Sequence, residues 1–415
     1  MKWLKYLSIL ISAQLVYSEN MGEIYSQLYS GNINSAILRL EEMSNNDTTN
    51  QEINSALAHA YTLASEDQKA IEVYEKLQSL DTGNVEPLFN LSKLLMKQGQ
   101  LSRSSELVKD GLKSQPYHKG LIDLAARISY DENDYQDAFS YYSKLIDMNI
   151  NVGRYYHLRA RCGAKMDSID LAISDFARAL KINPANQQII YEYAHCLYSA
   201  SRNPEAFNLI QREMENFGGT TKYERLKGNI YHKMGDYSKA LNSYTIALSR
   251  GRANAYLLKL IGICHYELGS FEKSEAFLSQ ALLFDGGDPM AFYYLGKCAM
   301  EMGDHSRAAS CFTIAIKINQ PSYINELYIN MAQCYEKEGN PILAIRTCRD
   351  GLEISPDNHH LLYLLANLYD GYYLDKSVAL AHFEKVVESP IDDEVDKYVK
   401  YRIKTIKENL HLGDK

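Results

Sequence analysis

Between Thr221 and Asn254 the apolar and small residues fall three or four apart in two short runs, parted by Gly235-Asp236. Gly228 and Tyr231 belong to the first run; Tyr237, Ala240, Tyr244 and Ala247 belong to the second. That spacing marks one face of a helix, so the stretch predicts two short amphipathic helices. Gly235 is the stop between them, because glycine tolerates the left-handed conformation in which many helices end. Neither helix can bury its apolar face alone, so the unit has to be repeated and stacked.

Steps of 34 residues in both directions from Thr221 give repeats starting at 17, 51, 85, 119, 153, 187, 221, 255 and 289. Position 20 is then Ala36, Ala70, Ser104, Ala138, Ala172, Ala206, Ala240, Ser274 and Ala308. Position 8 is Ala58, Ser92, Ala126, Ala160, Ala194, Gly228, Gly262 and Gly296, with Ile24 the exception in the first repeat. Small residues at these two points let paired helices approach closely where they cross. Tyr323 and Ile324 are two extra residues; the next repeat runs 325–358, with Ala332 and Ala344 in the same places. A last repeat starts at 359, with Ala366 in phase and Ala379 displaced by one. The repeat 187–220 departs most, because Ser201-Arg202 replaces the glycine turn and Glu213 the small residue at position 27. Its helices should pair least well. Residues 394–411 continue as one more amphipathic helix, with Val395, Tyr398, Val399, Ile403 and Ile406 on one side. Repeat arrays need such a terminal element with a polar outer face.

Aromatic residues recur near positions 11 and 24, among them Tyr61, Tyr231, Tyr335, Tyr74, Tyr142, Phe176, Tyr244 and Phe312. Prolines recur near position 32 as Pro116, Pro184 and Pro356. With the small residues at 8 and 20, this helix–turn–helix resembles the tetratricopeptide repeat over nearly the whole chain after residue 18. The resemblance implies an all-α fold: a right-handed superhelical solenoid of about eleven helix pairs over 19–393, then a capping helix and tail over 394–415. The end of the chain also resembles exported tetratricopeptide proteins of Gram-negative bacteria. The matching stretches are Leu365 to Asp370, Asp375-Lys376, Tyr401 to Lys404 and Ile406 to Glu408.

Composition narrows the setting. At 415 residues the chain is too long for one compact core, which suits an array. Only nine prolines and no alternating valine and threonine runs agree with an all-helical chain. A net charge of −8 argues against a general nucleic-acid binder. Residues 1–18, MKWLKYLSILISAQLVYS, read as a secretory signal peptide: Lys2 and Lys5 start it, Leu7 to Val16 are apolar, and Val16 and Ser18 precede the cut before Glu19. The alternative is a buried first helix. No later stretch is apolar for long enough to cross a membrane, so no insertion is expected after cleavage. The expected location is the periplasm, with the endoplasmic reticulum lumen or secretion as alternatives.

No catalytic residue, cofactor or metal site is expected. Gly218-Gly219-Thr220-Thr221-Lys222 lacks the spacing of a phosphate-cradling loop, and no histidine pair has helical metal-ligand spacing around a glutamate. His359-His360 points two ways from a helix start. No His-Pro-Asp triplet follows the repeats, which removes a resemblance to lumenal co-chaperones that append a J domain. Asn46-Asp47-Thr48 and Asn90-Leu91-Ser92 fit a glycosylation triplet that matters only in a eukaryotic secretory pathway. Five of the seven cysteines, Cys162, Cys196, Cys264, Cys298 and Cys334, share position 10, a small buried place that suits a free thiol. Equivalent residues of neighbouring repeats lie about 8–10 Å apart, beyond disulfide reach. Only Cys311, Cys334 and Cys348 fall close enough in register for one bridge.

The resemblance implies that positions 2, 5, 9 and 12 of each first helix line a concave groove. Positions 5 and 9 carry Lys93, Arg127, His157, Arg161, His195, Arg225, Asn229, Lys259 and Lys297. Arg154 and Lys222 join them from position 2, and Tyr191 and Tyr293 add aromatic faces. Asp123 is the only acid at positions 5 and 9, and acids return at the ends with Glu52, Glu86 and Glu326. The family's clamp for a C-terminal carboxylate is not reproduced: Arg225 and Asn229 resemble its first pair, but Met290 and Tyr294 stand where cations belong. The expected function is an exported, non-catalytic scaffold that binds a protein or peptide partner in this groove, the ligand being acidic. A receptor for a small acidic ligand or glycan, and an accessory subunit of an envelope enzyme or co-chaperone system, are the alternatives.

Overall fold

The computed structural model describes residues 20–149, 151–318, 321–388 and 391–413. The signal-peptide reading of residues 1–18 falls outside the described residues. Those residues form twenty-three helices and no strand. The chain divides into two compact halves, one ending at Arg202 and the other starting at Asn203.

In the N-terminal half, α1 covers 20–29, followed by α2 (Ile33–Asn46), α3 (Gln51–Leu63), α4 (Asp67–Leu80), α5 (Val85–Lys97) and α6 (Leu101–Ser114). The half continues through α7 (Lys119–Asp131), α8 (Tyr135–Met148), α9 (Gly153–Lys165), α10 (Ile169–Ile182) and α11 (Gln187–Ser199). The C-terminal half starts with α12 (Asn203–Phe217), α13 (Thr221–Lys233), α14 (Tyr237–Arg250), α15 (Ala255–Glu267) and α16 (Phe271–Phe284). Then come α17 (Pro289–Glu301), α18 (His305–Ile318), α19 (Ile324–Lys337) and α20 (Pro341–Ile354). The last are α21 (His359–Tyr372), α22 (Ser377–Glu388) and α23 (Asp393–Gly413). From α3 to α21 each first helix opens on the start of its repeat, α19 being one residue early.

Local chemistry sets these boundaries. Asn50, Asn186, Asn254 and Asn358, each at position 34, accept bonds from backbone N–H groups of the first helix that follows. Such a cap contributes about 1 kcal/mol and fixes where a helix begins. The turn inside each repeat but the last passes through a left-handed residue, Gly235 having φ 77°. Ser201 holds the same geometry at φ 61°, so the turn of repeat 187–220 survives the loss of glycine. It does so as a residue type that pays a steric penalty there. The division between the halves falls in this turn.

Packing confirms the register. All nine position-20 residues from Ala36 to Ala308 are completely buried. A Cβ added at Gly228 would lie 2.5 Å from the Tyr244 ring, which shows how closely α13 crosses α14. In the same way a Cβ at Gly296 would lie 2.5 Å from Phe312. Glu213 is only 4% exposed at position 27, where Ala247 and Ala281 stand in later repeats, and its Oε1 has no hydrogen-bond partner among the described residues. In α9, Arg159 makes a two-pronged bond to Asp175 of α10, at 2.7 and 2.8 Å, which fixes that pair.

At the far end α23 buries Val399 and Ile406 against Leu365, Phe383 and Val386. Arg402 reaches Asp370 of α21 at 2.6 and 2.9 Å, and Lys376 stands 3.8 Å from the same carboxylate. The seven cysteines are free thiols, all but Cys311 buried. Burial pushes Cys162, Cys264, Cys334 and Cys348 up to about 12. No helix among the described residues is long and apolar enough to cross a membrane.

Candidate functional site

The first helices of neighbouring repeats lie side by side, so a charge at position 5 or 9 meets the first helix one repeat away. In the N-terminal half this brings cations and acids together. Arg154 lies 3.3 Å from Asp123. His157 is buried, with Nε2 2.8 Å from Oε2 of Glu192, and Arg161 is 3.8 Å from the same oxygen. Burial acts to raise the Glu192 carboxyl, but hydrogen bonds from His157 and Gln188 and the charge of Arg161 outweigh it and hold it below the usual range. Arg161 also lies over the Tyr130 ring, 4.9 Å from its centroid. A guanidinium on an aromatic face is held by the ring quadrupole. Burial pushes the Tyr130 phenol up, and Arg161 opposes that shift.

Beside this hub is a pocket of 450 Å³, lined by Tyr130, Arg161, Ala164, Tyr191, Glu192 and His195, with Phe176 and Cys196 also in its wall. Tyr191 and His195 lie with ring centroids 6.4 Å apart on α11. Lys165 is exposed at the rim. Among the described residues no carboxylate lies within 4.0 Å of Lys165 or of Arg127, which is exposed on α7. Lys93, on α5, sits over the Phe89 ring at 5.3 Å.

In the C-terminal half several expected groove residues turn out to hold the fold together. Lys259 is bonded to Asp288, and both side chains are below 20% exposed. The reason is local: Asp288 caps α17 and so stands opposite α15. Asn229 accepts a hydrogen bond from the Tyr244 hydroxyl at 2.9 Å. Tyr293 offers no open face; it is buried, packs against Tyr294, Phe312 and Tyr323, and donates to Glu326 at 2.6 Å. Burial and that bond push its phenol up. Lys297 rests among three rings, 4.7 Å from Tyr266, 5.3 Å from Tyr293 and 5.5 Å from Tyr294. Arg225 is half-buried on α13.

Counting charges at groove positions missed Glu192 and Asp288, which stand at positions 6 and 34. Their signal was a separation close to one repeat from a basic residue: 35 residues from His157 and 29 from Lys259. Tyr130, Ala164 and Lys165 were missed as well. Among the described residues no cluster of three or more histidine, cysteine or acidic side chains could hold a metal ion.

Models of the tetratricopeptide repeat match residues 55–86, 153–186, 225–289, 290–319 and 326–358. The chain is 22% identical over 354 residues to DnaJ homolog subfamily C member 3 of Bos taurus, covering 75% of this chain and 69% of that one. This likeness is found although no His-Pro-Asp triplet follows the repeats. The chain is 26% identical over 240 residues to the BBSome complex member BBS4 homolog of Drosophila melanogaster, covering 54% and 49% of the two chains. Among solved structures, a tetratricopeptide repeat protein from Parabacteroides merdae is similar with a TM-score of 0.49 and 16% identity, covering 59% of this chain and 98% of that one. The matched stretches keep the phase of helix pairs that recur every 34 residues, and on that ground the chain belongs to the tetratricopeptide repeat family.

Proposed function

We propose that this protein is an exported, non-catalytic scaffold that holds an acidic segment of a partner protein against the first helices of its N-terminal half. The general role, a scaffold for protein–protein interaction, comes with the repeats themselves. The observation that carries the finer reading is Arg161, a cation that lines a pocket while stacked on Tyr130. Arginine holds a carboxylate in a two-pronged fork, and a guanidinium fixed on a ring loses little freedom in doing so. Arg127 and Lys165 add charge on the same helices, with no carboxylate against them among the described residues. Each exposed pair contributes only about 0–1 kcal/mol, so affinity has to come from several contacts together and should fall as salt rises. Export rests on the lysine-led apolar stretch before Glu19 and on the bacterial likeness of the chain's end.

The test is affinity capture from an envelope extract at low salt, comparing the parent with the double variant Arg127→Glu, Arg161→Glu. The variant should keep its helicity and lose the captured protein. Equal capture by both would overturn the acidic reading. A captured species that a sulfated polysaccharide displaces, with no protein among it, would favour a receptor for acidic glycans instead.

A further inference from the structure

Position 12 of the first helix is large along most of the array. Met96, Tyr130, Tyr198, His232, Tyr266 and Met300 hold it, and Thr62 is the smallest of the other occupants. In repeat 153–186 it is Ala164. The side chain that is missing there is the size of the one that Tyr130 supplies on α7 and Tyr198 on α11. The 450 Å³ pocket stands at this place, with Ala164 in its wall. Sites that take a small ligand or an anchoring side chain run to about 300–1,000 Å³, so the space fits one ring with room for its backbone.

We infer that Ala164 opens a socket for an aromatic side chain of the partner, flanked by an acidic residue of the same segment. This rests on the acidic-segment reading above and adds the residue that anchors it. The walls suit a ring: Tyr130, Tyr191 and Phe176 are aromatic, and Ile169 and the buried Cys196 are apolar. Aromatic rings gain from meeting other rings edge to face or offset. The rim suits a carboxylate. Arg161 and Lys165 bring two positive charges and Glu192 one negative, and Glu192 is already engaged by His157 at 2.8 Å. A guest carboxylate therefore meets a surplus of positive charge beside an apolar hole. Interfaces place their energetic centres in such pockets, filled by one aromatic anchor.

The experiment uses the full chain and dye-labelled peptides of blocked ends, read by fluorescence anisotropy at low salt. Three probes carry Asp-Phe-Glu, Asp-Ala-Glu or Lys-Phe-Lys at the centre of one neutral sequence. The parent should bind the first at least about tenfold more tightly than the second or third, the size of loss that removing an interface anchor gives. Ala164→Tyr, which restores the residue type of the neighbouring repeats, should weaken the first by a similar factor at unchanged helicity, and Ala164→Ser should not. Equal binding of Asp-Phe-Glu and Asp-Ala-Glu would overturn the socket while leaving the acidic reading intact. That comparison needs no variant to fold. Tight binding of Lys-Phe-Lys that Ala164→Tyr abolishes would keep the socket and overturn the acidic reading. No binding of Asp-Phe-Glu would overturn the socket.

Discussion

Gly228→Ala adds a single carbon where α13 crosses α14, and two effects of opposite sign decide the outcome. Alanine favours a helix interior over glycine by about 1 kcal/mol. Against this, the new Cβ lies 2.5 Å from Cε1, 2.6 Å from Cδ1 and 3.0 Å from Cζ of Tyr244. That ring is completely buried and its hydroxyl is bonded to Asn229, so it has no open space to turn into. Overpacking of this kind costs about 1–3 kcal/mol, and a strained hydroxyl bond roughly another 1 kcal/mol. Crowding should win, with a net loss of about 2 kcal/mol. Urea unfolding followed by circular dichroism would show an earlier midpoint. Stability in a repeat array is a sum over neighbours, so amide hydrogen exchange should quicken in α13 and α14 well before α19 and α20. Tyr244→Leu combined with Gly228→Ala should recover part of the loss relative to the two single changes. If Gly228→Ala is as stable as the parent or more so, the crossing is looser than 2.5 Å implies and propensity rules the position.

The buried Glu213 has an oxygen without a partner among the described residues, and burial pushes its carboxyl up while only Arg212 opposes. A carboxyl raised in the fold favours folding while protonated, so its contribution is lost as pH rises through the folded value. Glu213→Ala should therefore stabilise by about 1–3 kcal/mol at pH 7 and by much less at pH 4; an equal gain at both would rule out the charge as the cause. The thiols should number seven by Ellman titration in denaturant without reductant, and react slowly in the native protein because burial holds them protonated. Three bridges would leave one titratable thiol.

How much was legible followed from the range of the interactions. The boundaries of α13 and α14 were readable because Gly228, Gly235 and Ala240 act on partners within a single repeat. Ser201 shows the limit of reading by residue type: it takes the left-handed conformation at φ 61° although it is not glycine. Positions 5 and 9 do lie on the first helices, but position says nothing of what stands one repeat away. Lys259 and Tyr293 looked available and are instead tied to Asp288 and Glu326. Ala164 was invisible for the opposite reason: an absent side chain carries meaning only beside the large ones that neighbouring repeats supply.

The ties between first helices also have a mechanical side. Asp123 to Arg154, Glu192 to His157 and Glu326 to Tyr293 each stitch one repeat to the next, and Asp288, which caps α17, ties Lys259 of α15 to the helix that opens the following repeat. Stacked repeats held this way form, within each half, a spring whose stiffness depends on ionic strength, since the exposed stitches are screened and the buried ones are not. A guest carboxylate that draws Arg161 from Glu192 slackens the stitch between α9 and α11. Occupancy of the N-terminal half would then be felt as compliance, and a pulling experiment would register the guest as a softer stretch of chain.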